Sequence, residues 1–292
     1  GSEVSIMNNA LDLLVIKPGS QKALYGVLSN SLSGLEPPLW AALLSAFIRH
    51  KGFNVKIADA ELEPEKVTET ISLEKPKLIA IVVSGTNPSA STMNMIGACT
   101  LLEEIKKIQK ITLTILIGLH PSALPRRTMD EEPVCFVCEG EGFSTLLGLL
   151  QGNPYHKIPG LWYRENGEVR SNSRADLVNP DDLPMPAWDL LPMKKYRAHN
   201  WHCFGFLDKR SPYGVIYTSL GCPFFCSFCC INAIFGQHKL RLRSLEKVME
   251  EISYLVRHFG IRNIKIIDEM FAFNEERVID LCERITRQGY DL

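Results

Sequence analysis

Gly221-Cys222-Pro223-Phe224-Phe225-Cys226-Ser227-Phe228-Cys229 sets three cysteines four and three residues apart, directly after the short apolar run 215–217. Thiolate is the soft donor that iron–sulfur clusters take. Three cysteines on one tight loop can hold three irons of a 4Fe-4S cube and leave the fourth iron without a protein ligand. An iron left open is a place for chemistry. A structural zinc site closes with four protein ligands, so the zinc alternative needs a more distant fourth donor, for which His238 and Cys230 are available.

Outward from this loop, composition bounds the rest. The chain has 292 residues, enough for two domains, and a 46% hydrophobic content that fills two cores. Its net charge of −1 favours neither nucleic acid nor an acidic membrane surface as a partner. The basic run 238–243 is short, no apolar run has the length to cross a bilayer, and residues 1–3 lack the pattern of a secretory signal. Nine cysteines, three of them at a metal-binding spacing, argue for a reducing cytoplasmic setting and against a disulfide framework.

N-terminal to the loop, residues 11–139 alternate apolar strand-like runs with helical periods, the pattern of a parallel sheet covered on both faces. Strands are expected at 11–17, 54–59, 78–83, 112–117 and 134–138. Pro37-Pro38 opens a helix with Leu39, Leu43 and Phe47 on one side and Gly52 after its end. A second helix is expected over 91–110, with Met95, Ala98, Leu102 and Ile105 on its apolar side. The result is α/β: a Rossmann-like (flavodoxin-like) domain over residues 1–152.

Open sheets of this kind bind ligands beyond the carboxyl ends of their strands. Those ends read Pro18-Gly19-Ser20, Ser84-Gly85-Thr86, Gly118-Leu119-His120-Pro121 and Glu139-Gly140-Glu141-Gly142, with small residues that let a bulky ligand approach the backbone. Gly-x-Gly-x-x-Gly is absent after the first strand, which disfavours a dinucleotide. Bland readings stand beside the functional ones. His120 before a proline fits a hydrogen-bonding loop residue, and Ser84 and Thr86 fit turn formers. Glu141 fits a helix-dipole partner. Cys135 and Cys138 fall on opposite faces of an apolar strand, where packing accounts for them better than redox work does.

Asn166-Gly167 marks a hairpin, and the prolines at 180, 184, 186, 192 and 212 mark an extended linker, together residues 153–212, pinned by Trp188, Leu190 and Leu191. Trp201, His202 and Cys203 near its end read as packing residues. Residues 213–292 then run βαβα: Ser244 caps a helix carrying Leu245, Val248, Ile252, Leu255 and Phe259 to Gly260, a strand covers 263–267, and Asn274 caps a second helix.

Cys-x3-Cys-x2-Cys with an aromatic residue before the last cysteine resembles the signature of the radical S-adenosylmethionine (radical SAM) enzymes. The resemblance implies that Cys222, Cys226 and Cys229 hold a 4Fe-4S cluster, that the open iron is chelated by S-adenosyl-L-methionine, and that Phe228 lies against the adenine. An electron from the cluster would cleave SAM to a 5'-deoxyadenosyl radical. Asp268 and Glu269 match the family's second SAM-binding step, here without its usual Gly-Gly-Glu, and Arg241 and Arg243 resemble an Arg-x-Arg-Ser step that could meet a SAM carboxylate. Residues 213–292 would be the first two units of a partial (βα)6 barrel, with the native chain continuing past Leu292.

The strand-end loops, together with Leu183-Pro184-x-Pro186-Ala187-Trp188-Asp189-Leu190-Leu191-Pro192, are similar to the cobalamin-binding branch of that family. This implies cobalamin on the sheet edge, touched by Pro18, Gly19, Ser84, Gly85, Thr86, Gly118, His120, Pro121, Glu139 and Gly140. Asp-x-His-x-x-Gly, which supplies a histidine to cobalt elsewhere, is absent. The expected activity is methyl transfer to an unactivated carbon or phosphorus centre of a small-molecule substrate, through methylcobalamin, with an external flavodoxin- or ferredoxin-type electron donor. Cyclisation or rearrangement with the same cofactors is the near alternative, and a non-catalytic cobalamin or iron–sulfur module is a further one. A methylthiotransferase would need three more cluster cysteines on strand-end loops, which Cys99, Cys135 and Cys138 do not supply.

Overall fold

The structure, a computed structural model, describes residues 10–30, 33–84, 88–109, 111–200 and 206–292. The expected contacts Gly85 and Thr86, and the stretch Trp201, His202 and Cys203, lie outside the described residues.

Five parallel strands form where expected: β1 (Leu13–Lys17), β2 (Val55–Asp59), β3 (Leu78–Val83), β4 (Leu113–Gly118) and β5 (Phe136–Cys138). They lie in the order β2-β1-β3-β4-β5, the flavodoxin-like arrangement. All six residues of β3 are buried, because helices cover both faces and no position can be polar. On one face Val15, Ala80, Val82 and Ile117 meet α2 (Leu39–His50) and α7 (Phe143–Leu150), which follows α1 (Gln21–Tyr25), α3 (Pro64–Glu74), α4 (Met95–Ile108), α5 (Leu119–Ala123) and α6 (Pro125–Glu131) along the chain. On the other face Leu14, Ile16, Ile79, Ile81 and Val83 meet Val67 and Ile71 of α3 and Ala98, Leu102 and Ile105 of α4.

The hairpin β6 (Leu161–Glu165) and β7 (Glu168–Ser171) turns at Asn166 and Gly167, both at positive φ. It is not a free-standing appendix. β6 pairs antiparallel with β5, so the sheet has seven strands and β5 is no longer an edge.

The chain then crosses back over the molecule. Trp188 is fully buried and donates through Nε1 to Glu251 Oε1 at 2.8 Å, and the Ala187 N–H bonds the Ala42 carbonyl of α2. Asp189 takes both Nη atoms of Arg49, at 2.6 and 3.0 Å. Trp188 and Leu191 pin the linker as expected, while Leu190 is half-buried.

Next come β8 (Tyr213–Ile216), β9 (Ser219–Leu220), α8 (Asn232–Phe235), β10 (Arg241–Leu242), α9 (Leu245–Phe259), β11 (Asn263–Ile266) and α10 (Glu275–Arg287). β8 and β11 pair in parallel, with α9 crossing between them. Ser244 is the N-cap residue of α9 but makes no side-chain cap; its own N–H bonds Asp181 Oδ1 of the linker at 2.8 Å. Asn274 caps α10 directly, its Oδ1 accepting from the Arg277 N–H at 2.9 Å. The core runs unbroken from α2 through Trp188 to Tyr213 and Val248, so the two units share one apolar interior. Among the described residues no helix is long and apolar enough to cross a membrane.

Candidate cofactor site between the cysteine loop and the sheet edge

The cysteine loop leaves the C-terminal end of β8. Asp268, just past β11, fixes that exit: its carboxylate accepts from the Thr218 N–H at 2.6 Å, from Thr218 Oγ1 at 2.5 Å and from Ser219 Oγ at 2.7 Å. The antiparallel β9–β10 pair carries the chain to Gly221, which sits at φ +87°. A Cβ there would lie 2.2 Å from the Lys239 carbonyl oxygen, so only glycine lets the two strands close at this point.

Beyond it, Cys222 is half-buried, while Cys226, Cys229 and the adjoining Cys230 are exposed. The Cys229 N–H bonds the Cys226 carbonyl at 3.1 Å, turning the last two thiols onto one short bend. Three thiols on one open loop suit a cube, in which each thiolate takes a different iron. Among the described residues, no three His, Cys, Asp or Glu side chains stand together closely enough to close on a single ion. His238, the distant zinc ligand considered from sequence, has Nδ1 against the Phe224 carbonyl at 2.6 Å. Phe228 is 91% exposed beside the thiols, available to a planar ligand.

Glu269 follows Asp268 and is half-buried. Burial pushes its carboxyl up to about 7, with the Asp268 charge adding to the rise. The two neighbouring acids thus differ in surroundings: Asp268 takes three protein donors, while burial outweighs the backbone hydrogen bonds on Glu269.

Across the cleft, the described members of the expected sheet-edge set lie at the carboxyl ends of β1, β3, β4 and β5, but several are already engaged with the protein itself. A Cβ on Gly118 (φ +140°) would come within 2.1 Å of the Val83 carbonyl oxygen, and one on Gly19 within 2.7 Å of that of Ala60. Close backbone packing therefore requires these glycines whether or not a ligand approaches. The Ser84 carbonyl accepts from Asn94 Nδ2 at 2.7 Å. His120 places Nδ1 3.0 Å from Thr92 Oγ1 and donates its N–H to Ser91 Oγ at 3.1 Å; burial, with Arg127 nearby, holds its ring below the usual histidine range. Pro18 and Pro121 are buried. Gly140 is the open position, where an added Cβ meets only the Ile234 oxygen at 3.9 Å, at φ +129°. Cys138 is buried, its thiol pushed up to about 12 by desolvation, which suits a core residue and not a redox one.

What the sequence did not reveal is how these two halves are fastened. Glu139 accepts from Trp162 Nε1 at 2.7 Å and pairs with Arg174, whose Nη1 reaches on to the Ala233 carbonyl of α8 at 2.7 Å. Glu141 pairs with Arg241 of β10 at 2.7 Å, the two side chains 5% and 7% exposed, and its second oxygen accepts from the Val178 N–H at 3.0 Å. Glu141 is thus an ion-pair partner rather than a helix-dipole residue. Arg241 and Arg243, read from sequence as surface charges that could meet a SAM carboxylate, are both buried: Arg243 pairs with Glu251 and bonds the Tyr217 carbonyl. Pairing of Glu139 and Glu141 with arginines 35 and 100 residues away leaves no periodic trace in a sequence; Arg174 lies in an irregular stretch that nothing singled out.

A family model described as the B12 binding domain matches residues 25–150. An uncharacterized methyltransferase of Pyrococcus horikoshii is 33% identical over 291 residues, covering 97% of this chain and 58% of the relative. The anaerobic magnesium-protoporphyrin IX monomethyl ester cyclase of Cereibacter sphaeroides is 24% identical over 270 residues, covering 88% of this chain and 41% of that enzyme. The chain therefore spans about half the length of these relatives. Among solved structures, the cobalamin-dependent S-adenosylmethionine radical enzyme OxsB, with aqua-cobalamin and S-adenosylmethionine bound, superposes with a TM-score of 0.70 at 20% identity, over 96% of this chain and 37% of that one. With a B12-binding sheet ahead of a Cys-x3-Cys-x2-Cys loop on a βαβα start, the chain carries a B12 binding domain over residues 25–150 and has the fold of the cobalamin-dependent radical enzyme on which it superposes.

Proposed function

We propose that this chain is the cofactor-binding portion of a cobalamin-dependent radical SAM enzyme, a methyltransferase acting on an unactivated carbon or phosphorus of a small molecule. The observation that carries the reading is the fastening just described: Glu139–Arg174–Ala233 and Glu141–Arg241 hold the sheet edge against the flanks of the cysteine loop. Two cofactors that exchange a group need such a fixed approach. Together a 4Fe-4S cluster, S-adenosylmethionine and cobalamin would supply radical generation and methyl carriage.

The protein's own part is placement. Cys222, Cys226 and Cys229 would ligate the cluster, and Asp268, through Thr218 and Ser219, holds the strand exit from which they hang. Glu269 would receive the SAM ammonium, which returns its carboxyl to the charged form, and Phe228 would lie on the adenine. The backbone at Gly140, together with Pro18, Gly19, Ser84, Gly118, His120 and Pro121, would form the cobalamin floor, with the committed Glu139 bracing it from behind. On this reading the division is residues 1–152, 153–212 and 213–292, with the hairpin of the middle segment serving the sheet unit. A flavodoxin- or ferredoxin-type donor in the cytoplasm would supply the electron.

The Cereibacter relative is a cyclase by name, which supports ring closure as a second reading with the same cofactors. The test is anaerobic purification and reconstitution with iron, sulfide and hydroxocobalamin. Four irons and one cobalamin per chain are expected. Iron without cobalamin removes the sheet-edge assignment, and zinc alone removes the radical reading. Label from methyl-labelled SAM in the product of the full-length protein separates methylation from cyclisation.

A further inference from the structure

We propose that His238 is a positioning residue for the cysteine loop: it locks the Phe224–Phe225 peptide and thereby the span between Cys222 and Cys226. The inference rests on the cluster assignment above.

Three contacts converge here. Nδ1 lies 2.6 Å from the Phe224 carbonyl oxygen; a carbonyl only accepts, so Nδ1 carries the proton and donates. The imidazole stacks on Phe225 with ring centroids 3.7 Å apart and planes 22° from parallel. Asn232, the first residue of α8, brings Nδ2 to 3.4 Å from the same carbonyl, a second donor to the oxygen that the ring holds. Phe224 and Phe225 are two of the three residues between the first two cysteines, so each contact acts on the arm that joins two ligands.

Burial does not explain the arrangement, because His238 is exposed and Phe225 is 79% exposed. The ring is held by the loop and the loop by the ring. A trans peptide points its N–H opposite its carbonyl, so a bond that fixes the Phe224 oxygen also fixes where the Phe225 N–H is aimed. A cluster's reduction potential responds to hydrogen bonds on its sulfurs, so the midpoint potential is a second readout of whether this peptide has turned.

The test uses the full chain, reconstituted anaerobically with iron and sulfide, as wild type, His238→Ala, His238→Asn and Phe225→Leu. Cluster loss to a chelator is followed by visible absorbance, and the midpoint potential by titration with electron paramagnetic resonance detection. His238→Ala is expected to lose its cluster about tenfold faster, from one hydrogen bond and one ring contact removed, with a shifted potential. Asn carries an amide N–H close to the place of Nδ1, so His238→Asn restores the potential and part of the lifetime; Phe225→Leu falls between. Unchanged lifetime and potential in His238→Ala, beside a wild type holding four irons, overturns the inference. A wild type that takes up no iron overturns the cluster assignment instead, and the two failures are told apart by that one control.

Discussion

Replacing Glu141 by glutamine removes the charge facing Arg241 while keeping the shape. Arg241 then stays buried, with the Val178 carbonyl and the face of the Phe235 ring as its remaining neighbours. Removing one partner of a buried, hydrogen-bonded pair costs about 3–5 kcal/mol, because the other charge is left dehydrated without compensation. With a urea slope of about 2–3 kcal/mol per molar, the unfolding midpoint falls by about 1–2.5 M. Circular dichroism and tryptophan fluorescence should report the same midpoint before it is converted to a free energy. Two controls separate charge burial from mere contact. Asp189→Asn, which breaks the exposed Arg49 pair, should cost less than about 1 kcal/mol. The double variant Glu141→Leu with Arg241→Met, which removes both charges, should recover most of the loss. A Glu141→Gln midpoint no lower than that of Asp189→Asn would refute the account of this interface as a dry ion pair.

Other expectations can be checked alongside. Glu269 has its carboxyl raised to about 7, so the stability it contributes is present below the ordinary carboxyl range and is lost as pH rises through about 7. Glu269→Gln should flatten stability over that window, and in the wild type SAM affinity should weaken as pH falls below about 7; a carboxyl titrating near 4.5 by NMR counts against both. Gly118→Ala should destabilise strongly, because its Cβ would enter the Val83 carbonyl, whereas Gly52→Ala, at φ +91° in open space, should cost about 1 kcal/mol; equal thermal shifts contradict the crowding argument. Trp188→Phe removes the indole donor to Glu251, whose carboxyl burial already pushes up, and should cost about 1.5–3 kcal/mol by urea unfolding.

The sheet was legible because a strand covered on both faces has to be apolar throughout, and 78–83 and 113–117 leave no other reading. The cysteine loop was legible because metal ligation demands residue type and spacing together. The hairpin's turn was readable in Asn166-Gly167, but its docking on β5 was not, since edge pairing uses backbone groups that every sequence possesses. Strand-end glycines were read as room for a bulky ligand, whereas at Gly19 and Gly118 the approaching group is the chain's own carbonyl. Arg241 and Arg243 misled because a basic residue near a ligand loop looks alike whether it faces solvent or a buried acid.

The paired arginines have a consequence for how this protein can be cut. A fragment ending after α7 would contain the whole parallel sheet and look like a self-sufficient module. It would nevertheless lose Arg174 and Arg241, stranding Glu139 and Glu141, and with the hairpin gone it would bare the edge of β5 to other chains. Excision at that boundary should yield a sticky, poorly soluble product, whereas a cut placed beyond Asp268 keeps Arg174, Arg241, Glu251 and Asp268 together with their partners. The B12-binding unit is in that sense not a removable cartridge: recombination that shuffled it between enzymes would have to carry along the start of its neighbour.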